Sequence, residues 1–204
     1  MPRPPLKLGF LASRNGSAMR AIVAAAQCGE LPAEPRLVVS NRGEAPALAF
    51  ARETGLSWRH ISAVTEGSAE AADAAIAAAL QQGGVELVVL SGYLRRLGPA
   101  VLKAFSERIL NVHPALLPRH GGEGMYGRRV HESVLAAGDL ETGATVHLVE
   151  DAYDTGPVLA QTRIAVEPSD TPESLERRVA AIEAPLYIDI LRRIASGELA
   201  LPGA

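Results

Sequence analysis

An asparagine and a histidine stand two positions apart, Asn111 and His113, directly after the strand-like run 108–110. If the strand continues through them, both side chains project from the same face. An amide donor and an imidazole that titrates near neutral pH suit the anionic tetrahedral intermediate of an acyl transfer. Pro114 and Pro118 restrict the backbone that follows. For these residues alone, a hydrogen-bonded loop cap is the alternative interpretation.

A second polar stretch, residues 151–157, favours the chemical interpretation. It is an acidic loop with a Gly-Pro pair, and it lies between two further strand-like runs. Such a loop can bring a carboxylate to the imidazole as its partner. In the preceding strand, predicted over residues 142–149, Thr145 and His147 share one face, which we expect to look toward the same site.

The first turn of the chain has the features of an anion site. A strand over residues 6–12 runs into Ser13-Arg14-Asn15-Gly16-Ser17 and then into a helix over residues 18–27, with Ser17 as the expected N-cap. The first amides of a helix lack partners within it and can bind an anion. A plain strand-to-helix turn is the alternative, since the stretch matches neither Gly-x-Gly-x-x-Gly nor a P-loop.

Strands and helices are predicted to alternate along the chain, which favours an α/β fold with a Rossmann-like, doubly wound, mostly parallel sheet and an antiparallel portion near the C-terminal end. In such sheets ligands bind beyond the carboxyl ends of the strands. The other predicted strands are 35–41, 56–60, 86–90 and 158–166, and the other predicted helices are 45–54, 69–82, 99–105, 129–137 and 171 to about 197.

Composition limits the class of protein. The 204 residues, 48% of them hydrophobic, predict a single domain over 1–204, with residues 1–5 and 199–204 loosely held. A net charge of −3 argues against a broad nucleic-acid surface. The one cysteine cannot form an internal disulfide, and no apolar run is long enough to span a membrane. The expectation is therefore a cytoplasmic protein acting on small molecules, without a nucleic-acid or membrane partner; the oligomeric state, a homodimer included, stays open.

Over about residues 6–197 the chain resembles the folate-dependent formyltransferases. The most specific motifs are residues 111–118 and 154–157, at the expected separation, which the whole superfamily shares. Residues 13–17 and 90–93 add support. The phosphate turn and the single-domain length favour the branch that acts on glycinamide ribonucleotide.

The resemblance implies a catalytic trio of Asn111, His113 and Asp154. The reaction it implies is attack by the primary amine of glycinamide ribonucleotide on the formyl group of 10-formyltetrahydrofolate, the co-substrate. Asn111 and a protonated His113 would donate to the oxyanion, while Asp154 would help to remove the proton of the amine. No metal and no nucleophilic Ser or Cys is implied.

The same resemblance assigns the binding residues. Glu183 is expected to accept hydrogen bonds from ribose hydroxyls, with a solvated helix glutamate as the alternative. The substrate phosphate is assigned to the backbone amides of Asn15, Gly16 and Ser17. The folate pocket is assigned to Leu90, Tyr93, Leu94, Arg95, Arg96, Leu97, Ala152 and Tyr153.

Four features depart from the family pattern. Ala18 replaces an asparagine of the phosphate turn, and Arg14 replaces a small or neutral residue. Arg96 stands where an apolar residue often lines the folate pocket, and the loop 121–127 is longer and richer in glycine than in the commonest bacterial form. These changes leave the chemistry intact but loosen the assignment of the amine substrate.

Other functions stay open at this point. Within the superfamily the acceptor can be water, methionyl-tRNA or an amino sugar, but the first two enzymes normally carry an added domain that 204 residues do not accommodate. A non-catalytic folate or nucleotide sensor would not need the intact trio. A dinucleotide-dependent oxidoreductase is disfavoured, since its glycine fingerprint is missing.

Overall fold

The computed structural model describes residues 3–202, which form one seven-stranded sheet with helices on both faces. The strands are β1 (Leu6–Leu11), β2 (Ala33–Ser40), β3 (Trp58–His60), β4 (Leu87–Leu90), β5 (Ile109–His113), β6 (Glu141–Leu148) and β7 (Val158–Ala165). The helices are α1 (Ser17–Gln27), α2 (Pro46–Glu53), α3 (Ala63–Glu66), α4 (Ala69–Gln82), α5 (Pro99–Ala104), α6 (Arg128–Ala136) and α7 (Pro172–Ser196).

The strand order is β3-β2-β1-β4-β5-β6-β7. The first five strands in this order run parallel, and β6 and β7 are antiparallel to their neighbours. The predicted doubly wound sheet with its antiparallel portion near the C-terminal end is therefore confirmed. The order reverses direction at β1 and β4, so that their carboxyl ends, together with that of β5, form the edge at which such sheets bind ligands.

Alternating side chains of the central strands pack into two hydrophobic cores. In β4 all four residues are buried; Leu87 and Val89 belong to the core under α1 and α7, while Val88 and Leu90 belong to the core under α4 and α5. This explains why the strand reads as an unbroken apolar run, as expected for a parallel strand covered on both faces.

The last helix is fixed at both ends and in its middle. Thr171 and Ser174 form a capping box at its start, and Gly197 ends it in the left-handed region at φ 79°. The buried hydroxyl of Tyr187 donates to the backbone carbonyl of Leu90 at 3.1 Å. Helix α7 is thereby tied to the carboxyl end of β4, the edge that holds the predicted site.

Most predicted elements lie within two residues of their observed bounds. Helix α3 was missed because it is a single turn, stabilised locally by the reciprocal hydrogen bonds of Ser62 and Thr65. The assignment of Ser17 as N-cap was wrong: Gly16 caps α1 in a left-handed conformation, and Ser17 is the first helical residue. The C-terminal tail was expected to be loose, yet Leu201 is buried in the main core; residues 1, 2, 203 and 204 of the predicted loose termini lie outside the described part.

Candidate active site

Strands β5 and β6 place four polar residues side by side. In their antiparallel register Asn111 lies opposite His147, and His113 lies opposite Thr145. Cross-strand partners share one face of the sheet, so the expected projection of Asn111 and His113 from a common face follows from the pairing. Both histidines and Thr145 are buried, while Asn111 is half-buried.

Hydrogen-bond partners define the state of His147 and the orientation of Asn111. The Nδ1 of His147 lies 2.8 Å from the carbonyl oxygen of Leu148, which can only accept, so Nδ1 carries the proton. Its Nε2 is then an acceptor, and the amide nitrogen of Asn111 donates to it at 3.2 Å. One N–H of the Asn111 amide is thus engaged and its second N–H is left to donate elsewhere.

Asp154 approaches the two imidazoles from the loop between β6 and β7. Its Oδ2 lies 3.5 Å from His113 Nδ1, and its Oδ1 lies 3.6 Å from His147 Nε2. The backbone N–H of Gly122 donates to Oδ2 at 2.9 Å. The backbone of Asp154 is left-handed at φ 57°, a conformation that aspartate tolerates better than most residues. The structure therefore brings together all three members of the predicted trio.

His113 is held in the opposite tautomer from His147. Its Nε2 donates to the backbone carbonyl of His120 at 2.7 Å, which leaves a lone pair on Nδ1 facing Asp154. Burial lowers the pKa of His113 below its ordinary value, and the nearby Asp154 carboxylate only partly offsets this effect. Burial likewise lowers the pKa of His147. Two neutral imidazoles thus turn lone pairs toward one carboxylate. The expected donation from a protonated His113 to the oxyanion is not supported by this arrangement, because its Nε2–H is bound to the His120 carbonyl and its Nδ1 faces Asp154.

Thr145 holds the proline loop in place. Its hydroxyl donates to the carbonyl of Ala115 at 2.6 Å and accepts the N–H of Leu117 at 3.1 Å. The amide of Gln161, on β7, donates to the carbonyl of Leu117 at 2.9 Å and to the Thr145 hydroxyl at 3.0 Å. Sequence reasoning missed Gln161, because its position opposite Thr145 depends on the register of β6 and β7.

The first turn has the geometry of an anion site. Gly16 is left-handed at φ 64°, and α1 begins directly after it without a side-chain cap. The amide of Met19 donates to Ser91 Oγ at 3.1 Å, which ties the helix start to the end of β4. Asn15 and Ser17 are exposed beside Gly16, whereas Ala18 is buried and offers no polar side chain to a ligand.

The segment after β4 reaches both the first turn and the acidic loop. The amide of Leu94 donates to the hydroxyl of Ser13 at 2.8 Å. On the other side, the guanidinium of Arg96 donates to the carbonyl and carboxylate oxygens of Asp151, both at 2.9 Å, and lies 5.9 Å from the ring centre of Tyr153. Three of the predicted regions are therefore contiguous along the carboxyl edge.

The predicted folate residues fall into two groups. The side chains of Leu90 and Leu97 are packed in the second core. Leu94 and Tyr153 are 41% and 44% exposed, and Arg95, Arg96 and Ala152 are exposed as well. Tyr93 is half-buried, and burial raises the pKa of its hydroxyl to about 12. An exposed apolar and aromatic surface thus borders the acidic loop.

Glu183 lies half-buried on α7, four residues before the buried Tyr187. Burial, reinforced by the carboxylate of Glu176, raises the pKa of Glu183 to about 7. Burial disfavours the ionised form of this carboxyl group, and hydrogen-bond donors would stabilise it. The predicted contact with ribose hydroxyls agrees with this.

One large cavity of the molecule lies elsewhere. It has a volume of about 470 Å³ and borders the amino ends of β2 and β3 and the end of α4, with Pro35, Leu56 and Gln82 in its lining. None of the predicted site residues lines it. Parallel sheets bind ligands at the opposite, carboxyl edge, and the chemistry of the side chains agrees with that edge.

Metal-binding clusters and membrane-spanning helices are both absent from the described part of the chain. Within residues 3–202 no group of three or more His, Cys, Asp or Glu side chains is arranged to hold a metal ion. Across the same residues, no helix has both the length and the apolar character that crossing a bilayer requires.

The fold and the site together define a doubly wound α/β domain with an amide, two imidazoles and a carboxylate at the carboxyl edge of its sheet. The family model described as "Formyl transferase" matches residues 6–191. The chain belongs to the formyl transferase family.

Similar proteins with this architecture include enzymes of bacteria and plants. The chain is 33% identical to phosphoribosylglycinamide formyltransferase of Escherichia coli K12, over 95% of this chain and 89% of that protein. It is 37% identical to the chloroplastic phosphoribosylglycinamide formyltransferase of Arabidopsis thaliana over 92% of its own length, but it spans only 65% of the Arabidopsis protein. The crystal structure of glycinamide ribonucleotide transformylase 1 from Symbiobacterium toebii superimposes with a TM-score of 0.90 at 36% identity, covering 98% of this chain and 92% of that one.

Proposed function

We propose that this protein transfers the formyl group of 10-formyltetrahydrofolate to the primary amine of glycinamide ribonucleotide, a step of purine synthesis. One observation carries the proposal: the carboxylate of Asp154 lies 3.5 and 3.6 Å from two buried imidazoles, beside the amide of Asn111. The names of the relatives supply the acceptor and the transfer of a formyl group, and the resemblance to the folate-dependent formyltransferases supplies the donor. We place this reaction in the cytoplasm, with small molecules as the only partners that the site requires.

In this proposal Asn111 stabilises the charge that develops as the amine attacks the formyl carbon. The carbonyl oxygen becomes an oxyanion, and the free N–H of the Asn111 amide donates to it. His147 holds the amide in this orientation by accepting its other N–H. A preorganised donor of this kind contributes on the order of 10²–10³ in rate when its removal is tested in other acyl-transfer enzymes.

Asp154 and His113 hold the proton that moves during the reaction. The attacking amine gains a positive charge and loses a proton, which the carboxylate of Asp154 accepts directly or through a water molecule. A proton placed between Asp154 Oδ2 and His113 Nδ1 turns their 3.5 Å separation into an attractive contact. When the bond from the formyl carbon to N10 breaks, the proton passes to N10, so that the pair ends the cycle in its starting state.

The substrates are assigned to the two flanks of this site. We place the phosphate on the backbone amides of Asn15, Gly16 and Ser17, and the ribose hydroxyls on Glu183. The folate is placed against Leu94, Arg95 and Tyr153, with the backbone of the segment between Leu90 and Leu97 as hydrogen-bonding groups. The contacts between the first turn, the segment after β4 and the acidic loop support this arrangement.

A steady-state assay with purified protein, 10-formyltetrahydrofolate and glycinamide ribonucleotide tests the proposal. We expect one formylated nucleotide per folate consumed, detected by mass spectrometry. The matched control is Asn111→Ala, which should bind folate normally and lose most of the turnover. No transfer to the nucleotide by the unaltered protein would refute the proposal.

A panel of acceptors run in the same assay defines the substrate class. Because Ala18 is buried and contributes no polar contact, the phosphate relies on backbone amides and on any help from Arg14. We expect glycinamide ribonucleotide to exceed its dephosphorylated form in kcat/KM. Equal values, or better use of an amino sugar, would assign the chain to a different acceptor within the family.

A further inference from the structure

We infer that His120 is a positioning residue that fixes the tautomer of His113. This inference rests on the proposed formyl transfer, because it concerns the proton pair of the same site. It starts from the hydrogen bond that His113 Nε2 donates to the backbone carbonyl of His120 at 2.7 Å. Whichever interaction holds that carbonyl in place also decides which nitrogen of His113 carries the proton.

The backbone at His120 does not hold itself in this conformation. Its φ is 55°, in the left-handed region, which costs a residue with a Cβ roughly 1–2 kcal/mol. The neighbouring positions 121, 122 and 124 are glycines, and two of them, Gly122 and Gly124, also have positive φ. The glycine-rich loop alone is therefore not stiff enough to hold the His120 carbonyl in position against the imidazole of His113.

The side chain of His120 supplies the missing restraint. Its Nδ1 lies 2.8 Å from the hydroxyl of Ser133, on α6, and its Nε2 lies 2.8 Å from Oδ2 of Asp139, in the turn before β6. Asp139 is also paired with the guanidinium of Arg119. The hydrogen bond from His120 is the largest cause that lowers the pKa of Asp139, so the carboxylate is ionised and anchors Nε2–H.

The hydrogen-bonded side chains of His120 and Asp139 are both shielded from water. The side chains of His120 and Asp139 are 11% and 7% exposed, whereas Arg119 is 62% exposed. A charge-assisted hydrogen bond in such surroundings is stronger than one at the surface. The imidazole of His120 thus ties the glycine-rich loop to helix α6 and to the turn before β6, and these two contacts hold the His120 carbonyl in place.

The consequence for the site follows from His113. With Nε2–H bound to the His120 carbonyl, the Nδ1 lone pair faces Asp154 at 3.5 Å, and the carboxylate stays free to accept a proton. If the carbonyl moves away, His113 gains by shifting its proton to Nδ1 and donating to Asp154. The carboxylate would then be occupied in the resting protein and would be a weaker base.

Nitrogen-15 NMR of selectively labelled histidine tests the tautomer without any need for activity. In the unaltered protein we expect His113 as the Nε2–H form at pH 8, and in His120→Gly a mixture with the Nδ1–H form. Glycine is the chosen replacement because it accepts a φ of 55° without strain and removes only the two tethers. Asp139→Asn is a second variant that keeps the loop sequence and weakens one tether.

Kinetics separate positioning from a merely structural role. We expect His120→Gly to lower kcat by roughly tenfold to a hundredfold, the effect of a small misplacement of reacting groups, with KM for both substrates little changed. The acidic limb of the pH profile of kcat should shift. His120→Gln, which can reach Asp139, should restore part of kcat. Arg163→Ala, which removes an exposed ion pair with Glu141, is the control and should behave as the unaltered protein.

Three outcomes would overturn the inference. The first is an Nδ1–H tautomer of His113 in the unaltered protein, which would show that the carbonyl does not set it. The second is an unchanged tautomer of His113 in His120→Gly, whatever the change in kcat. The third is a loss confined to KM. Absence of formyl transfer by the unaltered protein would refute the proposed function instead, and the NMR result would still decide the role of His120.

Discussion

Replacing Glu183 by glutamine is expected to stabilise the folded protein at alkaline pH but not at acidic pH. Burial, with help from the Glu176 carboxylate, raises the pKa of Glu183 from 4.5 to about 7. The folded state therefore holds the proton of this carboxyl group more tightly than the unfolded chain does. Well below pH 4.5 the carboxyl group is protonated in both states and does not affect the free energy of unfolding. Between pH 4.5 and 7 the folded state loses stability as pH rises, and above pH 7 this loss is constant.

The size of the effect follows from this pKa difference. At pH 8 the ionised carboxylate opposes folding by about 3 kcal/mol, and at pH 4 by less than about 1 kcal/mol. Glutamine has a similar shape and no charge, so the variant does not suffer this pH-dependent loss of stability. For a domain of this size a gain of about 3 kcal/mol corresponds to a rise in Tm of roughly 6–12 °C.

Chemical denaturation of both proteins at pH 4, 5.5, 7 and 8 measures the difference in the free energy of unfolding. It should grow from pH 4 to pH 7 in favour of Glu183→Gln and change little between pH 7 and pH 8. Glu53→Gln, at the exposed end of α2, is the control for loss of a glutamate as such and should show no such growth. A constant difference across the series, or a variant that is less stable at pH 8, would refute the assignment of Glu183 as a buried, raised-pKa carboxyl group.

Three further predictions concern the site and the sheet. His113→Ala should lower kcat by about two to four orders of magnitude, since it removes one half of the proton-holding pair; a near-normal rate in a steady-state assay would remove His113 from the mechanism. Gly143→Ala should destabilise the protein by more than about 3 kcal/mol, measured by denaturation, since its new Cβ would collide with the backbone carbonyl oxygen of Thr162. A loss under about 1 kcal/mol would contradict the register of β6 and β7. Crystals grown with phosphate should show the ion at the amides beside Gly16; a turn blocked by side chains would favour an unphosphorylated acceptor.

Much of the fold was accessible from sequence because its signals are local. The apolar run at 87–90 and the Gly-punctuated helices define their elements without reference to the rest of the chain. The antiparallel pairing of β5 with β6 is different, since it depends on contacts over some thirty residues, such as Asn111 with His147. Alternation along residues 142–149 predicted that Thr145 and His147 face the site, but it could not give their register with β5.

The contributions of Gln161 and His120 could not be predicted from motifs. Gln161 acts through Thr145 and the carbonyl of Leu117, and His120 acts through its own backbone carbonyl. A backbone acceptor leaves no residue-type signal in the sequence. Ser17 illustrates the opposite error: a good capping residue stands in the first helical position because Gly16, which tolerates positive φ, takes the cap.

The pairing of Asp154 with its two imidazoles is the central claim, and one variant tests it most directly. Asp154→Asn keeps the shape of the side chain and its contact with Gly122 but removes proton acceptance. Turnover of glycinamide ribonucleotide and the Kd for a folate analogue should be measured on the same preparation, with Asp189→Asn, an exposed aspartate on α7, as control. We expect kcat to fall by about two to four orders of magnitude with the folate Kd nearly unchanged. Turnover equal to that of the unaltered protein would contradict the account.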